Sequence, residues 1–597
     1  MSDALVSPPV FAVTGAISLA LLGTAIRKVR RPRNDRPEPD GRDEHIVPLM
    51  GVMGAFIFAA QMINFSIPGT GSSGHLVGGI LLSAILGPWA ALITLASVLV
   101  IQCLVFADGG FMALGANILN MAALSCLVAY PLLFRPLMKP GASPGRIIAA
   151  SVLASVAGLE LGALAVTIET EASGITALPM GQFLLFMLPI HLFIGIGEGL
   201  ATAAVICVVQ RYKPELLYGI RRAGAPGRRR LGKALAAIAL AALLIGGSFS
   251  WIASSDPDGL EWSIAKTAGR TGTCVRRPAP ESRRHSGENG RDTRLQHDVC
   301  GNRRKRGHFA GRIRRLLPVP RRTKAGMKNR LQHVLCALDA MERTARMQSP
   351  LHRTDARAKL LVTVVFLVTM LSVPPYRLPE LLLFFVFPIF TCAMGGLRYG
   401  PIFRRSLVVL PFVAFIGVFN LFYDREPVFR VGALVVTAGW ISFLSIILRG
   451  LLSVQALLVL IGSTGYYRLC RSLQQLGVPA VFTTQLLFVY RYLFVLIEEA
   501  AAMQQARDAR SFGRKSYPLK VWGTLVGQLL IRTFDRAERI SRAMLARGFT
   551  GRIPEGMSER PAWKMRDTLF LAAWCSALVL LRLCRPAENF SMLINNF

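Results

Sequence analysis

The sequence predicts an all-α polytopic membrane protein in which two helical membrane bundles are joined by an irregular basic linker. The 597 residues are 52% hydrophobic, with a mean hydropathy of +0.45. Apolar runs of about 18 residues or more recur, and each is long enough to cross a bilayer as a helix. Between the apolar halves, residues 270–330 hold 19 Lys/Arg against four Asp/Glu and contain no such run.

Eight helices are expected in the first half of the chain. The first is predicted to be retained, because no small-residue cleavage pattern follows it. The expected helices span residues 8–26, 46–66, 76–87, 88–106, 112–134, 146–168, 182–209 and 234–254. With this count the basic loops 27–42, 135–146 and 211–233 lie on one side of the membrane. This side is predicted to be cytoplasmic, because Lys and Arg accumulate on the cytoplasmic side. The N-terminus and His75 are therefore expected together on the outer face.

The second half begins with apolar runs and ends with charged helical stretches. The runs lie at about 359–374, 379–395, 404–423 and 431–462. Two short motifs then follow arginine-rich amphipathic stretches, and their residues are Ala509, Arg510, Ala546, Arg547 and Gly548. An arginine at the end of a surface helix can pair bidentately with an acidic groove on a partner. The alternative is an arginine-rich helix that lies on anionic lipid.

Several function classes are disfavoured by the composition. The ten cysteines are scattered without a Cys-x-x-Cys pair, so neither a disulfide framework nor a zinc site is expected. The stretch 227–234 approaches a phosphate loop, but Ala234 stands where Ser or Thr would ligate magnesium. We therefore expect no enzyme activity and no ATPase site in this chain. The basic segment 270–330 could bind nucleic acid or anionic lipid at face value, but no nucleic-acid partner is predicted.

His75 is the most informative residue of the sequence. It lies in the glycine-rich stretch 69–79, between two apolar runs. A neutral imidazole is a good ligand for borderline transition metals, and glycines allow the backbone to fold closely around a small ion. Taken alone, a loop histidine beside a helix end is the commoner explanation.

Polar residues within the apolar runs form a second set of functional candidates, because they are costly in a membrane. His191 and Glu198 are seven residues apart and share one helix face. Hydrogen bonding between helices explains such residues as well as function does. The residues predicted to lie on a metal pathway are Asn64, Asp108, Asn117, His191 and Glu198, and Gln61, Asn120 and Glu160 belong to the wider polar set.

The stretch 51–130 contains the segments QMINF, GHLVGG, LGPWA and FADGG, and residues 191–199 read HLFIGIGEG. In these segments the sequence resembles the CbiM/NikM family. These proteins are the substrate-binding subunits of energy-coupling-factor transporters for cobalt or nickel. The resemblance implies that the metal is held by the N-terminal amine of Met1, a second-position histidine with its amide, and His75. This sequence has Ser2 at that position, which is explained most simply if the true start lies two codons upstream.

Two further resemblances cover the rest of the chain. The segment 256–262 resembles the Pro-Asp-Gly-Leu-Glu segment of the CbiN-like accessory subunit, and residues 335–560 resemble CbiQ, the transmembrane coupling subunit. This implies that Arg510 and Arg547 dock on paired ATPase subunits of the CbiO/NikO type, with Ser511 as a mild departure. The expected domains are 1–215 (CbiM/NikM-like), 234–266 (CbiN-like), 267–334 (basic linker), 335–560 (CbiQ-like) and 561–597 (C-terminal helix and tail).

Together these resemblances predict the membrane component of an ATP-driven importer of Co(II) or Ni(II) that supplies cobalt for cobalamin biosynthesis. The cation is cargo, and no permanently bound cofactor is expected. The expected partners are the ATPase subunits, a CbiN-like small subunit and the lipid of the bacterial inner membrane. The alternatives are a membrane-bound metal sensor, or a non-functional fusion in which a frameshift replaced a helix within 267–334. The choice between cobalt and nickel stays open.

Overall fold

The computed structural model describes most of both apolar halves. The described residues are 3, 6–30, 42–62, 65–67, 72–106, 108–138, 141–175, 180–218, 343–418, 420–423, 426–431, 434–510, 519–549 and 563–583. The expected helix 234–254, the segment 256–262 and the linker 267–334 lie outside these residues.

The first half is helical apart from one short hairpin. Its elements are α1 (Pro8–Arg30), α2 (Arg42–Gln61), β1 (Phe65–Ile67), β2 (Ser72–Gly74), α3 (Gly79–Leu86), α4 (Pro88–Ile101) with a π-helical continuation (Gln102–Phe106), α5 (Leu114–Asn117) with a π-helical continuation (Ile118–Phe134), α6 (Arg135–Leu137), α7 (Pro144–Ser173) and α8 (Met180–Tyr212).

The second half is likewise helical with one hairpin. Its elements are α9 (Pro350–Arg353), α10 (Ala356–Leu371), α11 (Leu378–Leu383), α12 (Val386–Gly395), α13 (Tyr399–Ser406), α14 (Leu410–Gly417), α15 (Asn420–Tyr423), β3 (Pro427–Val431), β4 (Leu434–Thr437), α16 (Ala438–Thr464), α17 (Tyr466–Gln475), α18 (Ala480–Ala509), α19 (Leu519–Ala546) and α20 (Met565–Leu583).

The prediction of an all-α polytopic membrane protein is confirmed. Among the described residues, eight helical segments are long and apolar enough to cross a membrane, five in the first half and three in the second. Each exceeds the length of about 17 residues that spanning requires. The chain is therefore a multi-pass membrane protein.

One predicted helix end was wrong and one apolar run is only partly helical, each because a short hairpin takes part of the run. The expected helix 46–66 ends at Gln61, and Phe65 pairs with Gly74 across the β1–β2 hairpin. Pro68 and Gly69, next in sequence, disfavour a helix there. The apolar run 431–462 is helical only from Ala438, because the Val- and Thr-rich residues 434–437 form a strand against β3. β-branched side chains favour a strand there.

The two halves share one hydrophobic core. A close contact between the halves joins α2 of the first half to α18 of the second. A Cβ on Gly51 would lie 2.6 Å from Cβ of Phe488, and one on Gly54 would lie 2.6 Å from Cγ2 of Val489. Real Cβ atoms essentially never come this close, so these glycines allow the two helices to approach. The helix that precedes the His75 loop is therefore packed directly on the second half.

The C-terminal helix α20 runs parallel to α10. The carboxylate Oδ1 of Asp567, near the start of α20, accepts a hydrogen bond from the backbone N–H of Asp355 at 2.9 Å. At the other end, Nη2 of Arg582 donates to the carbonyl oxygen of Ser372 at 3.0 Å. This contact extends the second bundle to residue 583.

Candidate functional site

The loop that carries His75 is held on one side by a buried carboxylate. Oε2 of Glu198, on α8, accepts from the backbone N–H of Val77 at 2.8 Å, and Oε1 accepts from that of Gly78 at 3.0 Å. Glu198 is only 3% exposed. Both oxygens of one buried side chain therefore fix the backbone two and three residues after His75.

The other side of the loop is held by two glutamines. Nε2 of Gln61, at the end of α2, donates to the carbonyl oxygen of Val77 at 2.8 Å. Nε2 of Gln102 donates to Oε1 of Gln61 at 2.9 Å. Both backbone groups of Val77 are therefore bonded to buried side chains. Gln61 belonged to the predicted polar set, whereas Gln102 was missed although it is a polar residue in an apolar run.

Glycine is required at position 78. Its φ is +80°, a left-handed conformation that side chains disfavour, and a Cβ there would lie 2.5 Å from Cδ1 of Ile57. The loop can therefore turn into α3 at this point only without a side chain.

His75 lines a cavity of about 130 Å³ between the loop, α7, α8 and the π-helical continuation of α5. The polar residues that line it with His75 are Asn117, Asn120, Ser125 and His191. Two of them, Asn117 and His191, were predicted for the metal pathway. The structure therefore brings together residues that are more than 110 positions apart in sequence.

Both imidazoles of the cavity lie with Nδ1 near a backbone carbonyl. Nδ1 of His191 is 2.8 Å from the oxygen of Met187, and Nδ1 of His75 is 3.3 Å from that of Leu76. With the proton on Nδ1, the lone pair of the neutral ring is on Nε2. A metal-binding histidine usually donates its other N–H to a carbonyl or carboxylate in this way.

A carboxylate that the sequence analysis missed lies beside the cavity. Nδ2 of Asn120 donates to Oε2 of Glu169, on α7, at 2.7 Å. Glu169 is 8% exposed. An acidic residue in the apolar run of α7 was the signal that could have found it, since the same rule singled out Glu160.

The remaining predicted pathway and ligand residues are placed differently. Asp108 is exposed in the turn after the π-helical end of α4. Met1 and Asn64 lie outside the described residues. Within the described part of the chain there is no group of three or more His, Cys, Asp or Glu side chains arranged to hold a metal ion.

The start of the chain is anchored near the beginning of α5. Oδ1 of Asp3 accepts from the backbone N–H groups of Met112 at 2.6 Å and Ala113 at 3.1 Å. Burial raises the pKa of Asp3, although these backbone hydrogen bonds oppose the shift. Further along, the N–H of Ser7 donates to Oγ of Ser173, the last residue of α7. The N-terminal segment is thereby tied to the end of α7 near which Glu169 lies.

The two arginine motifs lie at the ends of the long helices α18 and α19. Ala509 ends α18 and Arg510 follows it, and both are exposed. Ala546 ends α19, Arg547 and Gly548 follow it, and all three are exposed as well. The predicted coupling residues are therefore all accessible at helix ends.

A left-handed glycine ends α19. Gly548 has a φ of +77°, its N–H donates to the carbonyl of Leu545 at 2.9 Å, and the N–H of Phe549 donates to that of Met544 at 3.0 Å. Such a glycine cap satisfies the last carbonyls of a helix. The ring of Phe549 contacts that of Phe488 with centroids 5.9 Å apart, which fixes the chain directly after Arg547.

The end of α8 contacts α19, the helix that precedes the second motif. Nζ of Lys213 is 2.9 Å from Oδ1 of Asp535 and 3.6 Å from Oε2 of Glu538, both on α19. Lys213 belongs to the basic loop 211–233. Glu198 precedes it by 15 residues, which is about 22 Å along a helix. The His75 loop is therefore well removed from Lys213.

Three family models match this chain. The model described as the cobalt uptake substrate-specific transmembrane region (CbiM) matches residues 1–216. The PDGLE domain model matches residues 232–288, and the model described as cobalt transport protein (CbiQ) matches residues 347–558.

Curated relatives match the first part of the chain. A protein of Archaeoglobus fulgidus, named provisionally as a fused nickel transport protein NikMN, is 37% identical over 231 residues, which are 38% of this chain and 70% of that protein. A protein of Haloquadratum walsbyi, named provisionally as a metal transport protein, is 34% identical over 36% of this chain and 92% of its own length. The fused nickel transport protein NikMN of Rhodobacter capsulatus is 35% identical over 38% of this chain and 66% of its own.

Proposed function

The chain belongs to the CbiM/NikM family of cobalt and nickel transport membrane proteins, here joined to a CbiQ-type region, and on this premise we propose that it is the membrane part of an ATP-driven importer of Co(II) or Ni(II). The observation that carries the proposal is the clamped His75 loop. An imidazole beside a cavity, on a backbone fixed by Glu198 and Gln61, is preorganised for a small cation. Such preorganisation reduces the entropy lost on binding.

The proposed primary site comprises His75 and the N-terminal amine of Met1. Nitrogen ligands suit Ni(II) and Co(II), and the transported cation is the substrate. The anchoring of Asp3 and Ser7 supports a chain start close to the cavity. Asn64, Asp108, Asn117 and His191 are proposed to lie along the approach of the cation. We propose for Glu198 the role of positioning the loop.

The proposed energy source is a pair of CbiO/NikO-type ATPase subunits, with a CbiN-like small subunit as a further partner. Exposed Arg510 and Arg547 at the ends of α18 and α19 are suited to bidentate pairing with acidic grooves. Cation import of this kind would supply cobalt for cobalamin biosynthesis.

The proposed orientation has the N-terminus and His75 outside a bacterial inner membrane. Lys213, in a basic loop, contacts the helix that directly precedes Arg547, so both belong on one side. The excess of Lys and Arg marks that side as cytoplasmic. The domain boundaries 1–215, 234–266, 267–334, 335–560 and 561–597 are kept as proposals, as is the out-of-frame origin of the linker.

Replacement of His75 by alanine tests this function. The full-length His75→Ala protein should lose high-affinity Ni(II) and Co(II) binding in isothermal titration and uptake in whole cells that also express the ATPase. Leu76→Ala, in the same loop, is the matched control and should bind normally. Unchanged affinity in His75→Ala would refute the site, and metal uptake at the same rate without any ATPase would refute the energy source.

A further inference from the structure

We infer that Asp3 and Gly110 are positioning residues for the proposed metal site, because together they dock the start of the chain on the turn that leads into α5. This inference rests on the proposed function, in which the chain start supplies a nitrogen ligand beside His75. It deepens that function, since it assigns the placement of this ligand to two residues that do not themselves line the cavity.

The side chain of Asp3 binds backbone donors just before α5. Its Oδ1 accepts from the N–H groups of both Met112 and Ala113, at 2.6 and 3.1 Å, and Asp3 is only 5% exposed. These N–H groups precede Leu114, the first residue of α5, and such groups find no partner within the helix itself. The anchor therefore satisfies them and fixes residue 3 to a point 109 positions away in the sequence.

Gly110 leaves the room that this anchor needs. A Cβ at position 110 would overlap both Oδ1 and the backbone nitrogen of Asp3. The neighbouring Gly109 forms a bend with a φ of +82°, whereas the φ of Gly110 lies outside the left-handed region. The backbone at Gly110 would therefore accept alanine, and the contact with Asp3 is what requires a glycine.

Helix α1 packs closely on α5 beside the anchor. A Cβ on Gly115 would lie 2.7 Å from Cα of Gly15, and Oγ of Ser18 donates to the carbonyl oxygen of Gly115 at 2.6 Å. In addition, the N–H of Ser7 donates to Oγ of Ser173, the last residue of α7. This part of the chain is therefore fixed to two of the elements that line the cavity, α5 and α7.

The anchor lies within reach of the cavity. Asn117, which lines the cavity together with His75, comes four residues after Ala113 and is therefore about 6 Å further along the helix. Two residues of extended chain span up to about 7 Å. The residues that precede Asp3 can reach the cavity from this anchor, and release of the anchor would let them move away.

Anchoring of the chain start should strengthen metal binding. A free chain start must be ordered when the cation binds, and a start that is already held avoids this entropic cost. Loss of groups that orient a metal ligand commonly lowers metal affinity about 10- to 100-fold. We therefore expect a loss of this size when the anchor is broken.

Substitutions at Asp3 separate anchoring from charge. Asp3→Ala removes the acceptor and should lower the affinity for Ni(II) about 10- to 100-fold. Asp3→Asn keeps an oxygen in place of Oδ1, which alone accepts the hydrogen bonds from Met112 and Ala113, and should restore most of the affinity. A role that depends on the negative charge would not be rescued by this variant.

Gly110→Ala tests the same contact from the other side. It should lower the affinity as Asp3→Ala does, and the double variant should bind no more weakly than Asp3→Ala alone, because both changes disrupt one contact. Gly23→Ala is the matched control, since Gly23 lies on α1 with nothing within 4 Å of a new Cβ. It should bind as the wild type does in isothermal titration with Ni(II).

The position of the chain start can be measured without any metal. Ser2→Cys places a thiol directly before Asp3, and its labelling in the purified full-length protein can be followed by mass spectrometry of the N-terminal peptide. Asp3→Ala and Gly110→Ala should each accelerate this labelling several-fold, because the chain start then opens locally. Asp3→Asn and Gly23→Ala should leave the labelling rate unchanged.

Unchanged labelling in both Asp3→Ala and Gly110→Ala would overturn the inference, since the anchor then does not hold the chain start. Faster labelling at wild-type affinity would overturn it as well, because the chain start then takes no part in the metal site. Failure of the proposed function looks different: the wild-type protein itself would bind neither cation, whatever the labelling rates of the variants.

Discussion

Nζ of Lys213, one residue after the end of α8, lies 2.9 Å from Oδ1 of Asp535 on α19. The ion pair joins the half that carries His75 to the helix that directly precedes Arg547. The side chains are 26% and 42% exposed, so water screens part of their attraction. The pair therefore contributes more to alignment of the two halves than to their stability.

The first prediction concerns this contact. Lys213→Glu should lower metal uptake several-fold, because it places like charge against Asp535 and Glu538, and Asp535→Lys in the same protein should restore part of the loss. Lys213→Ala should change the free energy of unfolding by less than about 1 kcal/mol, as for other exposed pairs. Uptake assays and denaturant unfolding in detergent measure these effects. A double variant no better than Lys213→Glu alone would contradict the prediction.

The same pair predicts a pH dependence. Asp535 raises the pKa of Lys213 above its usual value. A cation whose pKa is raised by folding contributes stability below its unfolded pKa and loses it as pH rises through the folded one. The contribution should therefore be constant from about pH 6 to 9 and decline only above the ordinary lysine range near 10.4. Comparison of the wild type with Lys213→Ala across pH gives this difference, and a decline already at pH 8 would be inconsistent with it.

The second prediction concerns Glu198. Glu198→Gln leaves only one side-chain acceptor for the two N–H groups of Val77 and Gly78, so the His75 loop should loosen and metal affinity should fall about 10- to 100-fold. Glu160→Gln is the matched control, because Glu160 is only partly buried and is not among the residues that line the cavity. Titration with Ni(II) measures both. Equal affinity in the two variants would argue against loop positioning.

The third prediction separates backbone conformation from crowding. Gly78 and Gly174 both have positive φ, but only Gly78 has a neighbour within 4 Å of a new Cβ. Gly174→Ala should cost about 1–2 kcal/mol of stability, since only the left-handed conformation is penalised. Gly78→Ala should cost more and also weaken metal binding, because Ile57 must move. Thermal unfolding of the two purified variants tests the ranking, and equal costs would show that the loop yields without strain.

The fourth prediction concerns the arginine motifs. Arg510→Glu combined with Arg547→Glu should release the ATPase subunits, because acidic grooves would then face acidic side chains. Metal binding in the first half should persist. Arg539→Glu, the same charge change earlier on α19, is the control. ATPase that co-purifies at the wild-type yield with the double variant would rule out this docking site.

The membrane class and most of the helices follow from the sequence alone. Runs of about 20 apolar residues predict where spans lie and approximately where they end, because a bilayer leaves no alternative for an exposed backbone. Helix α4 with its continuation was predicted as 88–106 and observed as Pro88–Phe106. Prediction failed at 65–67 and 434–437, where strand pairing satisfies the backbone and no hydropathy pattern distinguishes it.

The site itself was determined only in part by the sequence. His75 was marked by its glycine-rich surroundings and Glu198 by its apolar ones, but the sequence could not show that the carboxylate of Glu198 binds the loop of His75 across 121 positions. Three other contacts also join residues that are distant in the sequence: Gln102 with Gln61, Glu169 with Asn120 and Lys213 with Asp535. Composition and spacing report what each residue can do, whereas packing of helices distant in the chain decides which groups meet, and only the tertiary structure contains that information.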